Sequence, residues 1–253
     1  MNAIILAAGR GSRMQKLTET RHKSQVKIGG RTLLDWQTGA LRAAGIDRVV
    51  VVRGYLGESL QGEFETVDNP RWEVSNMVVT LTCAEAFLSS APCLVSYSDI
   101  VYRCEHVRHL LEAGGDIRLT YDREWEALWS LRFPDPLSDA ETFDAKGGRL
   151  REIGGSPASR DEVKGQYMGL LYFTPKGWAS VREFLDGLSS DAIDRLDMTA
   201  LLRRLLERGE SITAVPIAGG WCEIDSEGDL RAYEDMLALA DRKGKPWTHD
   251  FRS

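Results

Sequence analysis

An α/β fold is predicted for this chain: a Rossmann-like, mixed and mostly parallel sheet with helices on both faces and a small antiparallel elaboration. Three observations predict it. The first half alternates short β-branched apolar runs with amphipathic helical periods, the pattern of a parallel sheet covered on both sides. The first of those runs empties into a glycine-rich loop at the strand's carboxyl end, where open α/β sheets place their ligands. The chain has 253 residues and 43% hydrophobic content, enough for one sizeable core, so a single domain over residues 1–253 is expected.

The elements follow in order. Ala3 to Ala7 reads as a buried strand. Leu33, Trp36, Ala40 and Ala44 recur at helical spacing, and Gly45 closes that helix. Asp47 to Val52 is a β-branched strand, and Glu63 to Val67 a weaker one before the turn Asp68-Asn69-Pro70. Ser75 to Leu88 reads as one helix with Ser75 or Asn76 as its cap. Pro92 to Tyr97 is a strand, His106 to Ala113 a helix closed by Gly114-Gly115, and Asp116 to Tyr121 a further strand. On that helix His106 and His109 read as solvated, since no carboxylate spacing makes them a metal site.

The middle changes character. Trp125 to Phe133 is aromatic and interrupted by charge, and Pro134 and Pro136 break regular structure. Glu141 to Ala145 and Arg149 to Ile153 read as a hairpin turning through Lys146-Gly147-Gly148. After a polar loop from Gly154 to Gly165, Gln166 to Phe173 is a strand. The segment of about 122–175 therefore reads as the antiparallel elaboration. Beyond it, Met198, Leu201, Leu202, Leu205 and Leu206 make a helical stripe, and Ile212 to Ile217 a strand. Leu230, Tyr233, Leu237 and Ala240 mark a final helix, and the polar tail from Lys243 to Ser253 is expected to be mobile.

Composition excludes several classes. A net charge of −6 argues against a nucleic-acid backbone as the main partner. No apolar run is long enough to span a bilayer, and Met1-Asn2 leads directly into a strand with no basic, apolar leader, so a cytoplasmic protein without membrane contact is expected. Cys83, Cys93, Cys104 and Cys222 lack Cys-x-x-Cys spacing and read as buried, reduced thiols.

The loop carries the chemistry. Leu6, Ala7, Ala8, Gly9, Arg10, Gly11, Ser12 and Arg13 form a turn whose glycines let backbone N–H groups approach a ligand. Arg10 and Arg13 add forked donors suited to phosphate oxygens. A P-loop would end in Gly-Lys-Ser/Thr, and a dinucleotide fingerprint needs a third glycine where Met14 stands. The remaining pattern, Leu-Ala-Ala-Gly-x-Gly-x-Arg-Met, resembles the signature of the nucleotidyltransferase superfamily, whose members transfer an NMP group from an NTP to a phosphorylated acceptor and release pyrophosphate. Such a transfer needs a divalent cation held by one or two carboxylates. Asp99 stands just past an apolar strand, and Glu223 and Asp225 alternate onto one face of another. Asp225 at the strand end is the preferred ligand, with Glu223 behind it.

Taken in order, the loop, Lys23 in His22-Lys23-Ser24, Asp99 and Trp-x-Glu-Ile-Asp at 221–225 resemble the cytidylyltransferase branch of that superfamily, which includes phosphocholine and phosphonate enzymes. The resemblance spans nearly the whole chain and implies a nucleotide-diphospho-sugar transferase-like fold. It implies CTP and a small phosphonate or phosphate-bearing acceptor as substrates, Mg²⁺ on Asp99 and Asp225, and Arg13 and Lys23 as the catalytic cations. Asn76 and Ser98 join the nucleotide-binding set. The family usually has Pro and Leu where His22 and Gln25 stand, which leaves Lys16 and Lys27 as competitors of Lys23. The segment from Trp125 to Phe143 resembles the acceptor-side stretch of the same enzymes, so Trp129, Arg132, Glu141, Tyr167 and Glu223 are the expected acceptor contacts. A homodimer is possible on this reading. The alternatives are a sugar-1-phosphate nucleotidyltransferase using UTP, dTTP or GTP, and a non-catalytic nucleotide-sensing subunit.

Overall fold

The computed structural model describes residues 1–252, and for Ser12, Gln15 and Lys16 the backbone alone. β1 (Asn2–Ala7) is buried along its length. Its side chains alternate between two apolar layers, Ala3, Ile5 and Ala7 on one face and Ile4 and Leu6 on the other. The glycine loop and two 3₁₀ turns lead to the small hairpin β2 (Lys27–Ile28) and β3 (Arg31–Thr32). α1 (Leu33–Ala43) starts at a reciprocal cap between Thr32 and Asp35. There follow β4 (Val49–Arg53), β5 (Glu65–Asp68), α2 (Met77–Thr82), α3 (Glu85–Ser90), β6 (Cys93–Tyr97), β7 (Ile100–Tyr102) and α4 (Cys104–Glu112). The middle holds β8 (Ile117–Asp122), α5 (Trp125–Arg132), β9 (Phe143–Lys146), β10 (Arg149–Ile153) and β11 (Gln166–Phe173). The chain ends with α6 (Pro175–Asp186), α7 (Ser190–Asp194), α8 (Met198–Glu207), β12 (Ile212–Ile217), β13 (Trp221–Glu223) and α9 (Glu227–Lys243).

Among the described residues one nine-stranded sheet runs β5-β4-β1-β6-β11-β8-β12-β10-β9. Its first four strands are parallel. β11 is antiparallel to both β6 and β8, and β10 to both β12 and β9. The remaining strands therefore share one direction, and the sheet is mixed but mostly parallel. α1, α4, α5 and α9 pack one face; α2, α3, α6 and α8 pack the other. The expected doubly covered α/β architecture is present, with no helix among the described residues long and apolar enough to cross a membrane.

The structure corrects several local expectations. Gln166 to Phe173 is not part of a peripheral elaboration: β11 lies in the middle of the sheet, buried on both faces, and only β9 and β10 extend its edge. The predicted helix from Ser75 to Leu88 is two helices. Thr82 Oγ1 and Cys83 Sγ both bond the Val79 carbonyl, at 2.7 and 3.4 Å, and the chain tightens before Ala84. The charged stretch 125–132 is helical because Trp125, Leu128 and Trp129 recur at i, i+3, i+4 and bury one face. The described part of the tail is pinned. Phe251 packs edge-on against Trp36 with ring centroids 5.2 Å apart, Asp250 O accepts from Arg103 Nε at 2.7 Å, and His249 is fully buried. His106 is buried against the Gly220 carbonyl rather than solvated. The four cysteines are free, but only Cys93 and Cys222 are buried, while Cys83 and Cys104 are half-exposed.

Candidate active site

At the carboxyl ends of β1 and β6 lies a cleft of about 280 Å³ lined by the glycine loop, the loop before α2 and the turn after β6. Leu6, Ala8, Gly9, Gly11 and Arg13 come from the loop, Asn76 from the start of α2, and Ser98 and Asp99 from the turn. Lys23 and Asp225 close its floor. No Cβ would meet an atom within 4 Å at Gly9, so that glycine faces open space. Gly11 does a different job. Its φ is +64°, and a Cβ there would stand 2.8 Å from Lys23 Cδ, so the bare backbone lets the lysine pass beneath the loop.

Lys23 is held from two sides. Its Nζ donates to Asp99 Oδ2 at 2.9 Å and to Asp225 Oδ1 at 2.6 Å. Burial opposes its charge, but the two carboxylates outweigh burial and raise its pKa. His22 anchors the preceding residue. Its Nε2–H donates to the Ala7 carbonyl at 2.9 Å, so Nδ1 carries the lone pair. Nδ1 accepts from Ser24 N at 3.1 Å and from the Ser24 hydroxyl at 2.6 Å. The 3₁₀ turn carrying Lys23 is thus tied to the end of β1. Histidine supplies here, by hydrogen bonds, a rigidity that a proline would supply by its ring.

The acids are assembled by a ladder. β13 pairs with β7, Glu223 opposite Ile100, and Ile224 N donates to Asp99 O at 2.9 Å. Carboxylate oxygens of Asp99, Glu223 and Asp225 consequently lie within 4.8 Å of one another. Arg132, its side chain 1% exposed, donates to Glu223 Oε2 at 2.6 Å and Asp225 Oδ2 at 3.2 Å, and pairs with Asp229 at 3.4 Å. Arg13 reaches Asp225 at 3.2 Å. Burial raises Glu223, with Asp225's charge next. Burial pushes Asp225 upward too, yet Lys23, Arg13 and Arg132 hold it below the usual carboxylate range. Asp99 Oδ1 is buried with no hydrogen-bond partner. An oxygen-only donor set with an orphaned carboxylate oxygen fits a hard divalent cation.

The structure brings Lys23, Asp99, Asp225, Glu223 and Arg13 together. It places others elsewhere. Ala7 is fully buried and contributes its carbonyl to His22. Arg10 is exposed, its guanidinium 5.4 Å from the centroid of the Tyr55 ring, outside the cleft lining. Trp129 is 4% exposed in the core beside Trp125 and Trp221, so it has no open face for an acceptor. Arg132 is consumed by the acids and cannot also hold an acceptor phosphate. The side chains of Ser12 and Lys16 lie outside the described residues. Lys27 is exposed on β2, outside the cleft lining. Tyr167 packs edge-on against Tyr97 at 5.7 Å between centroids, and Glu141, raised by burial and then by Asp197, stands near both phenols. Gly169, with φ +80°, leaves room for the Tyr97 ring, whose Cδ2 would lie 2.8 Å from a Cβ there.

Sequence reasoning missed Trp72, Ser75, Met77, Thr80 and Tyr97, which also line the cleft. Thr80 was reachable, being one helical turn beyond Asn76. Trp72 carries no sequence signal for this role, because it arrives from a loop.

The family described as "MobA-like NTP transferase domain" matches residues 3–162. The CTP:phosphoglutamine cytidylyltransferase of Campylobacter jejuni subsp. jejuni serotype O:2 is 36% identical over 247 residues, covering 91% of this chain and 98% of that protein. The choline-phosphate cytidylyltransferase of Haemophilus influenzae is 37% identical over 106 residues, 40% of this chain and 45% of that one. The solved structure of the inositol-1-phosphate CTP transferase from T. maritima superposes with a TM-score of 0.72 at 22% identity, covering 97% of this chain and 98% of that one, a likeness of fold.

Proposed function

The chain belongs to the MobA-like NTP transferase family, and from that premise we propose that it transfers CMP from CTP to a small phosphate- or phosphonate-bearing acceptor. An acceptor oxygen, already anionic at neutral pH, bonds to the α-phosphorus; the bond from that phosphorus to the β-phosphate oxygen breaks, and pyrophosphate leaves. The nucleophile carries its charge on arrival, so no general base is required, and catalysis reduces to alignment and charge neutralisation. The observation that carries the reading is the Lys23 ammonium bound between Asp99 and Asp225 directly under the glycine loop.

Each residue then has a task. Backbone N–H groups of the loop from Ala8 to Gly11 face the phosphates. Arg13 and Lys23 place positive charge where it builds on the leaving pyrophosphate. Asp99, Asp225 and Glu223 would hold Mg²⁺, which when bound offsets the triphosphate's charge. Arg132 keeps two of those acids turned inward. Tyr97, Tyr167 and Glu141 form the wall offered to the acceptor. The named relatives support the choice of CTP and of a phosphorylated acceptor.

Incubation with each of the four NTPs, Mg²⁺ and a panel of phosphoglutamine, phosphocholine, 2-aminoethylphosphonate and sugar 1-phosphates tests this, with pyrophosphate as the readout. Release should require CTP and one of the first three acceptors, and Asp99→Asn should lower it at least about 100-fold while leaving the fold intact. Release confined to UTP, dTTP or GTP with a sugar 1-phosphate overturns the reading, as does no release with any pair.

A further inference from the structure

The chain between β5 and α2 belongs to no strand or helix, yet Trp72, Ser75 and Asn76 from it line the cleft. Without a ladder, such a segment keeps its shape only through the bonds its backbone finds elsewhere. At its start Asn69 N–H donates to Arg53 O at 2.7 Å, and Asn69 Oδ1 accepts from Arg71 N at 2.9 Å. Within it the Arg71 carbonyl accepts from Val74 N at 3.0 Å and from the Ser75 hydroxyl at 2.7 Å. Trp72 lies against Gly54, where an added Cβ would stand 2.7 Å from Trp72 Cβ. A remote helix supplies the remaining ties. Asp194, the last residue of α7, takes the Arg71 guanidinium on Oδ2 and the Asn76 N–H on its carbonyl, the latter at 2.7 Å. Arg71 and Asp194 are 123 residues apart in the chain. Asp194 Oδ1 is buried with no hydrogen-bond partner, and Arg71 is the one cation paired with this carboxylate among the described residues. Asn76 Oδ1 accepts from Met77 N at 2.7 Å, so Nδ2 is the end of the amide that has protons to give and no partner among the described residues.

We propose that Asp194 is a positioning residue for the nucleotide. By gripping Arg71 and Asn76 together it holds residues 70–76 as a preformed wall, with Trp72 and the Asn76 amide in place before a ligand arrives. Asp194 and Arg71 do not line the cleft, so both act through the residues they hold. A segment released from this clamp populates other conformations, and the apparent affinity falls by the fraction that remains competent to bind. Lys23, Arg13 and the acids stand on other elements and keep their geometry, so the chemical step is spared. The inference rests on the reading of the cleft as a nucleoside triphosphate site and adds a determinant of its affinity outside the cleft.

The test is a double-mutant cycle on the full chain. The dissociation constant for CTP, measured with Mg²⁺ and no acceptor, should rise about fivefold or more in Asp194→Ala and in Arg71→Ala. The double variant should match the single ones rather than multiply their losses, because all three break one contact. Arg71→Lys keeps the charge opposite Asp194 and should retain most of the affinity. In the pyrophosphate assay KM for CTP should rise by the same factor, while kcat, KM for the acceptor and the melting temperature stay close to wild type. A general loosening of the fold lowers kcat and the melting temperature together, and that pattern overturns the inference. Losses that multiply in the double variant overturn it as well. If wild type binds CTP and the variants bind it as tightly, the inference falls and the CTP reading stands. If wild type binds no nucleoside triphosphate, both fall. Should Asp194→Ala fail to fold, Arg71→Ala against Arg71→Lys decides, since that guanidinium is half-exposed.

Discussion

His22 is held neutral by its surroundings. Protonating Nδ1 destroys an acceptor that two Ser24 groups already use, and burial removes the water that would solvate the charge. Burial, then the nearby Lys23 ammonium, lowers its pKa to about 4 against the pull of the Ala7 carbonyl. His106, buried against Gly220 O, is lowered to about 4 as well. In the unfolded chain both rings take up a proton near pH 6.5. Their contribution is therefore fully present above pH 6.5 and is lost progressively as pH falls toward 4, at a cost on the order of 3 kcal/mol per ring. Denaturant unfolding at pH 7.5, 5.5 and 4.5 should show this loss, and His22→Gln should remove about half of the histidine part of the slope. An acid slope identical in the variant contradicts the assignment. Asp99 and Asp225 stood out in the sequence as acids at strand ends, whereas Lys23 was singled out from Lys16 and Lys27 only by the family resemblance. Arg132 was misread for a physical reason: an arginine that binds a ligand and one that neutralises buried acids look alike until their neighbours are known.

Among the elements, the helices that were missed or merged failed where local signals competed. In α5 the flanking charges of Glu126 and Arg132 hid the short amphipathic stripe of Trp125, Leu128 and Trp129. Between α2 and α3, hydroxyl and thiol side chains took a backbone carbonyl, an event that periodicity does not record. The tail from Lys243 onward reads as mobile from its polarity, yet its described residues reach far. His249 Nε2 donates to Asp122 Oδ2 at 2.9 Å, the oxygen that also accepts from Trp221 Nε1 at 2.8 Å. Deleting residues 245–253 uncovers Trp36 and strips one partner from a fully buried carboxylate. The deletion should cost about 3 kcal/mol or more, read as a fall in melting temperature. A truncated protein that melts with the full chain shows the tether to be inert.

The whole molecule hangs on one sheet into which β11 is inserted between β6 and β8, so the expected elaboration and the nucleotide half share a core. That continuity predicts one cooperative transition. Urea unfolding followed by far-UV circular dichroism and by tryptophan fluorescence should give coincident curves. Two separated midpoints would show that β8 to β12 unfold as a distinct unit. Alternation of strand and helix was enough to foresee the class of fold, since burial on both faces leaves its mark on every strand. The order of strands was not foreseeable, because β-pairing between distant segments leaves no local periodicity.

By itself the sequence determined the glycine loop, the strand ends and the residue types a nucleotide-phosphate chemistry needs, all of which are local and written in spacing. Only the tertiary structure decided that Lys23 meets Asp225 across 202 residues, that Trp129 lies in the core, and that Arg132 balances acids instead of greeting a substrate. Each of those outcomes depends on which side chains become neighbours when two apolar layers close over one sheet, and the free energy of a buried charge depends almost wholly on its neighbours.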